Sequence, residues 1–71
     1  MTPQELIESI RRDVHEQRHL ASSIRYYRFC GDDALADAEA LQFHRIQNRI
    51  NEKIALLEAS WDKATKESHD R

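Results

Sequence analysis

The sequence predicts an all-α fold, an antiparallel hairpin of two long amphipathic helices. The 71-residue chain holds one glycine and one proline, so it lacks the turn residues that a fold of many short strands requires. Good helix formers such as Ala, Leu, Glu and Arg dominate the composition. Apolar residues recur at three- and four-residue steps in two blocks, which one short polar stretch separates. A chain of this length makes a single domain, residues 1–71.

The first helix is predicted over residues 3–29. Thr2 stands in the N-cap position, a proline follows it, and Glu5 completes the spacing of a capping box. No helix breaker appears before the predicted turn at residues 30–32, where Gly31 can adopt the left-handed conformation that closes a helix. The apolar series of this helix is Leu6, Ile7, Ile10, Val14, Ala21, Ile24 and Tyr27.

The second helix is predicted over residues 33–64, and a polar tail, residues 65–71, follows it. Asp32 or Asp33 can cap its start, where the helix dipole favours negative charge. A connection of three residues makes the two helices antiparallel neighbours. The apolar series of the second helix is Leu35, Ala38, Phe43, Ile46, Ile50, Ile54, Leu57 and Trp61.

The apolar surface of the two helices is wider than one helix–helix seam can cover. The first helix is apolar across roughly 140° of a helical wheel. The second carries a further cluster, rotated away from its main series and formed by Ala34, Ala38, Leu41 and Leu56. We therefore expect a homodimer that closes into a four-helix bundle with coiled-coil packing. A monomer with a loose core, or a different protein that supplies the missing helices, are the alternatives.

Polar residues interrupt both apolar series near the middle of the hairpin. Folding the chain at residues 31 and 32 places Asp13 level with Arg49, and Gln17 level with Arg45. We predict a polar layer at this level, with an ion pair between Asp13 and Arg49 at its centre, that fixes the register of the helices. A polar ligand pocket and simple exposure at the rim are the alternatives.

Residues 15–19 read HEQRH and match the H-E-x-x-H pattern, which places two zinc-binding histidines and a catalytic glutamate on one helix. His15 and His19 lie one turn apart, but the helical wheel puts them on a polar face. His44 is available as a third ligand, yet it points away from the apolar series of its helix. We therefore expect no enzyme activity and no metal or other cofactor. A zinc site of His15, His19 and His44 is the remote alternative.

Composition limits the compartment and the partners. A net charge of −2 gives no overall attraction to nucleic acid or to anionic membranes. The chain shows neither an apolar run of membrane-spanning length nor a signal peptide, so we expect a cytoplasmic protein without a membrane partner. The single cysteine, Cys30, cannot form an internal disulfide. We expect it to be an unreactive, buried or half-buried residue at the turn.

Charge is uneven along the first helix. Residues 11–29 hold five arginines and two acids. Arg11, Arg18 and Arg25 repeat every seven residues and form one row, the arginine row, with Tyr26 next to it. Such a row can dock on an acidic protein surface or hold nucleic-acid phosphates. The alternative is that the acids at the start of the second helix neutralise it within the chain.

These features favour a non-enzymatic protein-interaction module, a small regulator or inhibitor that docks a helical face on an unidentified partner protein. The expected contact residues are the arginine row and Tyr26. An RNA- or DNA-binding regulator that uses the arginine row on phosphates is the second hypothesis.

Overall fold

Two α-helices make up the protein. A computed structural model describes the backbone of residues 2–69 and the side chains of residues 2–62. The helices are α1 (Pro3–Phe29) and α2 (Asp33–His69), and residues 2–69 contain no strand. They pack side by side as an antiparallel hairpin, which confirms the fold class. Neither helix carries, within the described residues, an apolar stretch of the length that crossing a membrane needs.

The second helix is longer than the sequence predicts. It continues to His69, past the expected end at residue 64, because residues 65–69 contain no proline or glycine and include good helix formers. Part of the expected polar tail is therefore helical. Residues 70–71 lie outside the described residues.

A capping box begins α1, as the sequence predicts. The backbone N–H of Glu5 donates to Thr2 Oγ1 at 3.2 Å, and the backbone N–H of Thr2 donates to the Glu5 carboxylate at 3.5 Å. Each side chain thus satisfies one backbone donor that the first turn of a helix leaves without a partner.

The turn combines a helix stop with a helix start. Gly31 has a φ of +79°, and its N–H donates to the carbonyl of Arg28 at 3.2 Å. The N–H of Asp32 donates to the carbonyl of Tyr27 at 2.8 Å, which completes a Schellman motif. Asp32 also caps α2, because its carboxylate accepts a hydrogen bond from the N–H of Leu35 at 3.3 Å.

The seam between the helices buries few side chains. On α2 the apolar residues of the seam begin at Ala36, whereas the predicted series starts at Leu35 and includes Ala38. Both Leu35 and Ala38 are exposed, so they do not belong to the seam. Within residues 2–62 the buried side chains are Leu6, Ser9, Asp13, Ala36, Ile46 and Ile50.

The hairpin is a thin rod. Its Cα extents are 61 × 16 × 15 Å and its radius of gyration is 17.0 Å, whereas a compact domain of this length has a radius of gyration of about 11 Å. The chain exposes 5901 Å² of surface. A compact monomer of 8.4 kDa would expose about 4,600 Å². The hairpin therefore exposes about 1,300 Å² more than a self-sufficient fold of its mass.

Candidate interaction surface

The arginine row stands along α1 in solvent. Arg11, Arg18 and Arg25 are all exposed, and the helical rise of about 1.5 Å per residue spaces them about 10 Å apart. Within residues 2–62 the ion pairs involve the cations Arg49 and Lys53 alone. The acids at the start of α2 thus make no ion pair with the arginine row, whose charge is uncompensated by the described side chains.

Two aromatic side chains stand in solvent at the turn end of α1. Tyr26 is 64% exposed, and its ring meets the edge of the Tyr27 ring at a centroid distance of 5.7 Å. Phe29 is 91% exposed, and it is a further candidate contact residue that was not predicted from the sequence. Its place in the sequence indicates this exposure: Phe29 is the last residue of α1, and α2 has not yet begun there to cover it.

One side of the hairpin is apolar along its length. On α1 the residues Ile7, Val14 and Ala21 repeat every seven residues and are half-buried. On α2 a matching row runs from Ala40 through Gln47 and Ile54 to Trp61. Ala21 and Ala40 line the same groove, of about 330 Å³, so the two rows lie on one side of the hairpin. We call this side the apolar face: Ile7, Val14, Ala21, Ala40, Gln47, Ile54 and Trp61, with Ile24 and Phe43 between the rows.

The opposite side is polar on α1 and mixed on α2. There Glu16 on α1 accepts a hydrogen bond from Arg49 on α2 at 3.4 Å. Ser9 and Ser23 stand seven residues before and after Glu16, so α1 has a polar row on this side. On α2 the seven-residue row of Arg49 also contains two exposed leucines, Leu35 and Leu56. The two sides of the hairpin therefore differ most on α1, where one flank is apolar and the other is polar.

The two borders of the apolar face carry opposite charge. Each arginine of the row stands four residues after a member of the apolar row of α1, so the arginine row borders the face on that helix. The border on α2 consists of Asp37, His44, Asn51 and Glu58, each three residues before a member of its apolar row. All of these border residues are exposed. One border is thus cationic and the other carries only acids and neutral groups.

A polar cluster interrupts the seam midway along the hairpin. Asp13 is 7% exposed and accepts from Arg49 at 3.2 Å and from Lys53 at 2.5 Å. The ion pair between Asp13 and Arg49 expected from the sequence is present. Lys53 was not predicted, although it stands one helical turn after Arg49 and so shares its side of α2.

The second predicted pair of this layer does not form. The Gln17 amide donates to Gln47 at 2.7 Å, and Gln47 donates to Asn51 at 3.0 Å. Arg45 is exposed and has no hydrogen bond or ion pair among the described side chains. Two residues along a helix correspond to a rotation of about 200°, so Arg45 points outward where Gln47 points to α1.

The HEQRH histidines form a pair and not a triad. His15 and His19 are exposed, with their Nε2 atoms 3.2 Å apart and their rings edge to face. His44 instead packs edge to face against Phe43 on the border of the apolar face. Among the described residues, no three His, Cys, Asp or Glu side chains group closely enough to hold a metal ion.

Cys30 is exposed, which corrects the expectation of a buried or half-buried residue. Residues 28–35, which include the turn, are all exposed, since α2 begins only at Asp33 and covers nothing before it.

Comparisons of the chain with protein-family models, with curated proteins and with solved structures find no match.

Proposed function

We propose that this chain is a non-enzymatic protein-interaction module, a small cytoplasmic regulator or inhibitor that forms a homodimer and docks a helical face on a partner protein. The observation that carries the proposal is the arginine row, exposed along α1 and without an ion-pair partner among residues 2–62. An exposed, uncompensated row of guanidinium groups suits an acidic surface on another molecule.

The exposed aromatic residues add the apolar part of such a contact. Tyr26 and Phe29 extend into solvent at the turn end of the arginine row. Tyrosine and arginine are common energetic anchors of protein interfaces. Tyrosine buries a large area and loses little conformational entropy on binding, and arginine forms bidentate hydrogen bonds with carboxylates. The contact residues that we propose are therefore Arg11, Arg18, Arg25, Tyr26 and Phe29.

A charge-reversal comparison tests this proposal. The variant Arg11→Glu/Arg18→Glu removes two members of the row, and the matched control Arg12→Glu/Arg45→Glu makes the same change in net charge at two exposed arginines outside it. Affinity capture from the native host, with each chain as bait, should retain one partner on the parent and on the control and lose it on the row variant. Retention of every protein by the row variant would refute docking through the row.

Nucleic-acid binding is the second candidate function, favoured by the same uncompensated row and by the aromatic residues close to it. If Arg11, Arg18 and Arg25 each contact a phosphate, log K should fall with log salt with a slope of about −3 per chain for duplex DNA. Binding of labelled RNA or duplex at low salt, abolished by Arg11→Glu/Arg18→Glu and kept by the matched control, would support this candidate. No binding at low salt would remove it.

A further inference from the structure

We propose that the apolar face is the docking site for a second copy of this chain, and that the two hairpins pair with their turns at the same end. In this arrangement α1 of each copy lies against α2 of the other. The inference deepens the self-association proposed above and rests on it, since it assigns the surface, the occupant and the orientation.

The exposed area of the hairpin matches what such a dimer covers. Each chain exposes about 1,300 Å² more than a compact monomer of its mass. A stable protein interface of standard size takes about 800 Å² from each partner. The excess area is therefore enough for a dimer interface. Ile54 and Trp61 of the apolar face are 38% and 73% exposed, so they contribute apolar area that such an interface would cover.

The make-up of the face suits a second helical hairpin. Residues that repeat every seven positions on both helices form the seam of a coiled-coil bundle, and Val14 and Ile54 belong to such rows. The hydrogen-bonded amides of Gln17 and Gln47 lie midway along the face. In a bundle they would form a polar layer, with amide groups that can pair with their copies and fix the register.

The charges on the two borders select the orientation. With both turns at the same end, the cationic border on α1 faces the α2 border of the second copy, and Arg25 comes level with Asp37 of that copy, because residues whose numbers sum to about 62 are level in this hairpin. The inverted orientation places α1 against α1, so that one arginine row faces the other. Like charges across an interface are unfavourable, and the same-end orientation avoids them.

The orientation also decides what the arginine rows can do. The inverted dimer would merge two rows into one continuous basic track, whereas the same-end dimer separates them. Arg11 and Arg18 then come level with Asn51 and His44 of the second copy, so these two arginines meet no acid there and stay available to a partner protein. The same-end dimer therefore favours a protein partner at the outer contact residues over a nucleic-acid partner along α1.

A pair of matched variants tests the surface. Ile54 (38% exposed) belongs to the apolar face, and Leu41 (55% exposed) lies outside it on the same helix. By light scattering after size exclusion, the parent and Leu41→Asp should have the mass of a dimer, and Ile54→Asp should raise the dissociation constant at least tenfold. A parent that is monomeric at every concentration, or equal effects of the two variants, would overturn the assignment.

The single native cysteine tests the orientation on the parent chain, so the result does not depend on whether any variant folds. Spin labels on Cys30, which is exposed at the turn, should lie within about 25 Å of each other if the turns share one end, given helix spacings of about 10 Å. An inverted dimer would separate them by about 40 Å, the length of α1, and such a distance would overturn the orientation. Capture of a partner protein through Arg11 and Arg18 is measured on separate variants, so the two proposals can fail separately.

Discussion

Asp13 brings a negative charge into the seam between the helices, where two cations from α2 surround its carboxylate. Arg49 is half exposed, whereas Lys53 is largely covered, so the pair with Lys53 is the less solvated one. Removing the Asp13 carboxylate from water costs free energy, and the attraction of the two cations only offsets that cost. Asp13 therefore fixes the register of the helices more than it stabilises the fold.

We predict that Asp13→Ala lowers the free energy of unfolding by about 2 kcal/mol, because it leaves Lys53 without its acceptor. The double variant Asp13→Leu/Lys53→Ile should be at least as stable as the parent, since leucine at 13 continues the row of Leu6 and Leu20. Urea unfolding at one fixed protein concentration measures both. A double variant as unstable as Asp13→Ala would show that the ion pairs stabilise the fold.

The histidine pair gives a second prediction at this scale. Two exposed imidazoles with no third ligand among the described residues cannot enclose a zinc ion as structural and catalytic sites do. Calorimetric titration with zinc should therefore show no tight site, and His15→Ala/His19→Ala should give the same trace. Tight binding by the parent alone would contradict this.

Hydrogen bonds between residues that are close in sequence set where the helices begin and end. The capping box at Thr2 and the Schellman motif at Gly31 each use donors and acceptors within five residues of one another. Such motifs form wherever the residue types stand at the right spacing, and this is why the bounds of α1 and the start of α2 follow from the sequence.

We predict that Gly31→Ala destabilises the hairpin by about 1 kcal/mol. A Cβ at this position meets nothing within 4 Å, so the cost comes from the positive φ alone. Gly31→Asn should lose less, because asparagine tolerates the left-handed conformation better, and Cys30→Ala serves as a neighbouring control. Thermal unfolding followed by circular dichroism measures all three, and equal losses for alanine and asparagine would contradict the explanation.

The two helices carry net charges of opposite sign. Residues 3–29 carry five arginines and four acids, whereas residues 33–62 carry three basic and six acidic side chains. Because opposite net charges attract, two copies attract each other most when α1 of one copy lies against α2 of the other.

A charge exchange tests that statement. Arg25→Asp and Asp37→Arg should each weaken self-association about fivefold, since an exposed ion pair contributes about 0.5 kcal/mol and the proposed dimer holds two of them. An equal mixture of the two variants should recover the parent affinity as a heterodimer, because both of its contacts then join opposite charges. Sedimentation analysis measures the three samples, and no recovery on mixing would contradict the pairing of these residues.

The two helices, the turn between them and the level at which Asp13 meets Arg49 can all be predicted from the sequence. Those features follow from local hydrogen bonds and from counting residues out of a short turn. Three features became clear only from the packed helices: Gln47 and not Arg45 contacts Gln17, Lys53 joins Arg49 at Asp13, and Cys30 is exposed. These depend on how far each helix is rotated about its own axis, which packing across the seam sets and no local pattern specifies.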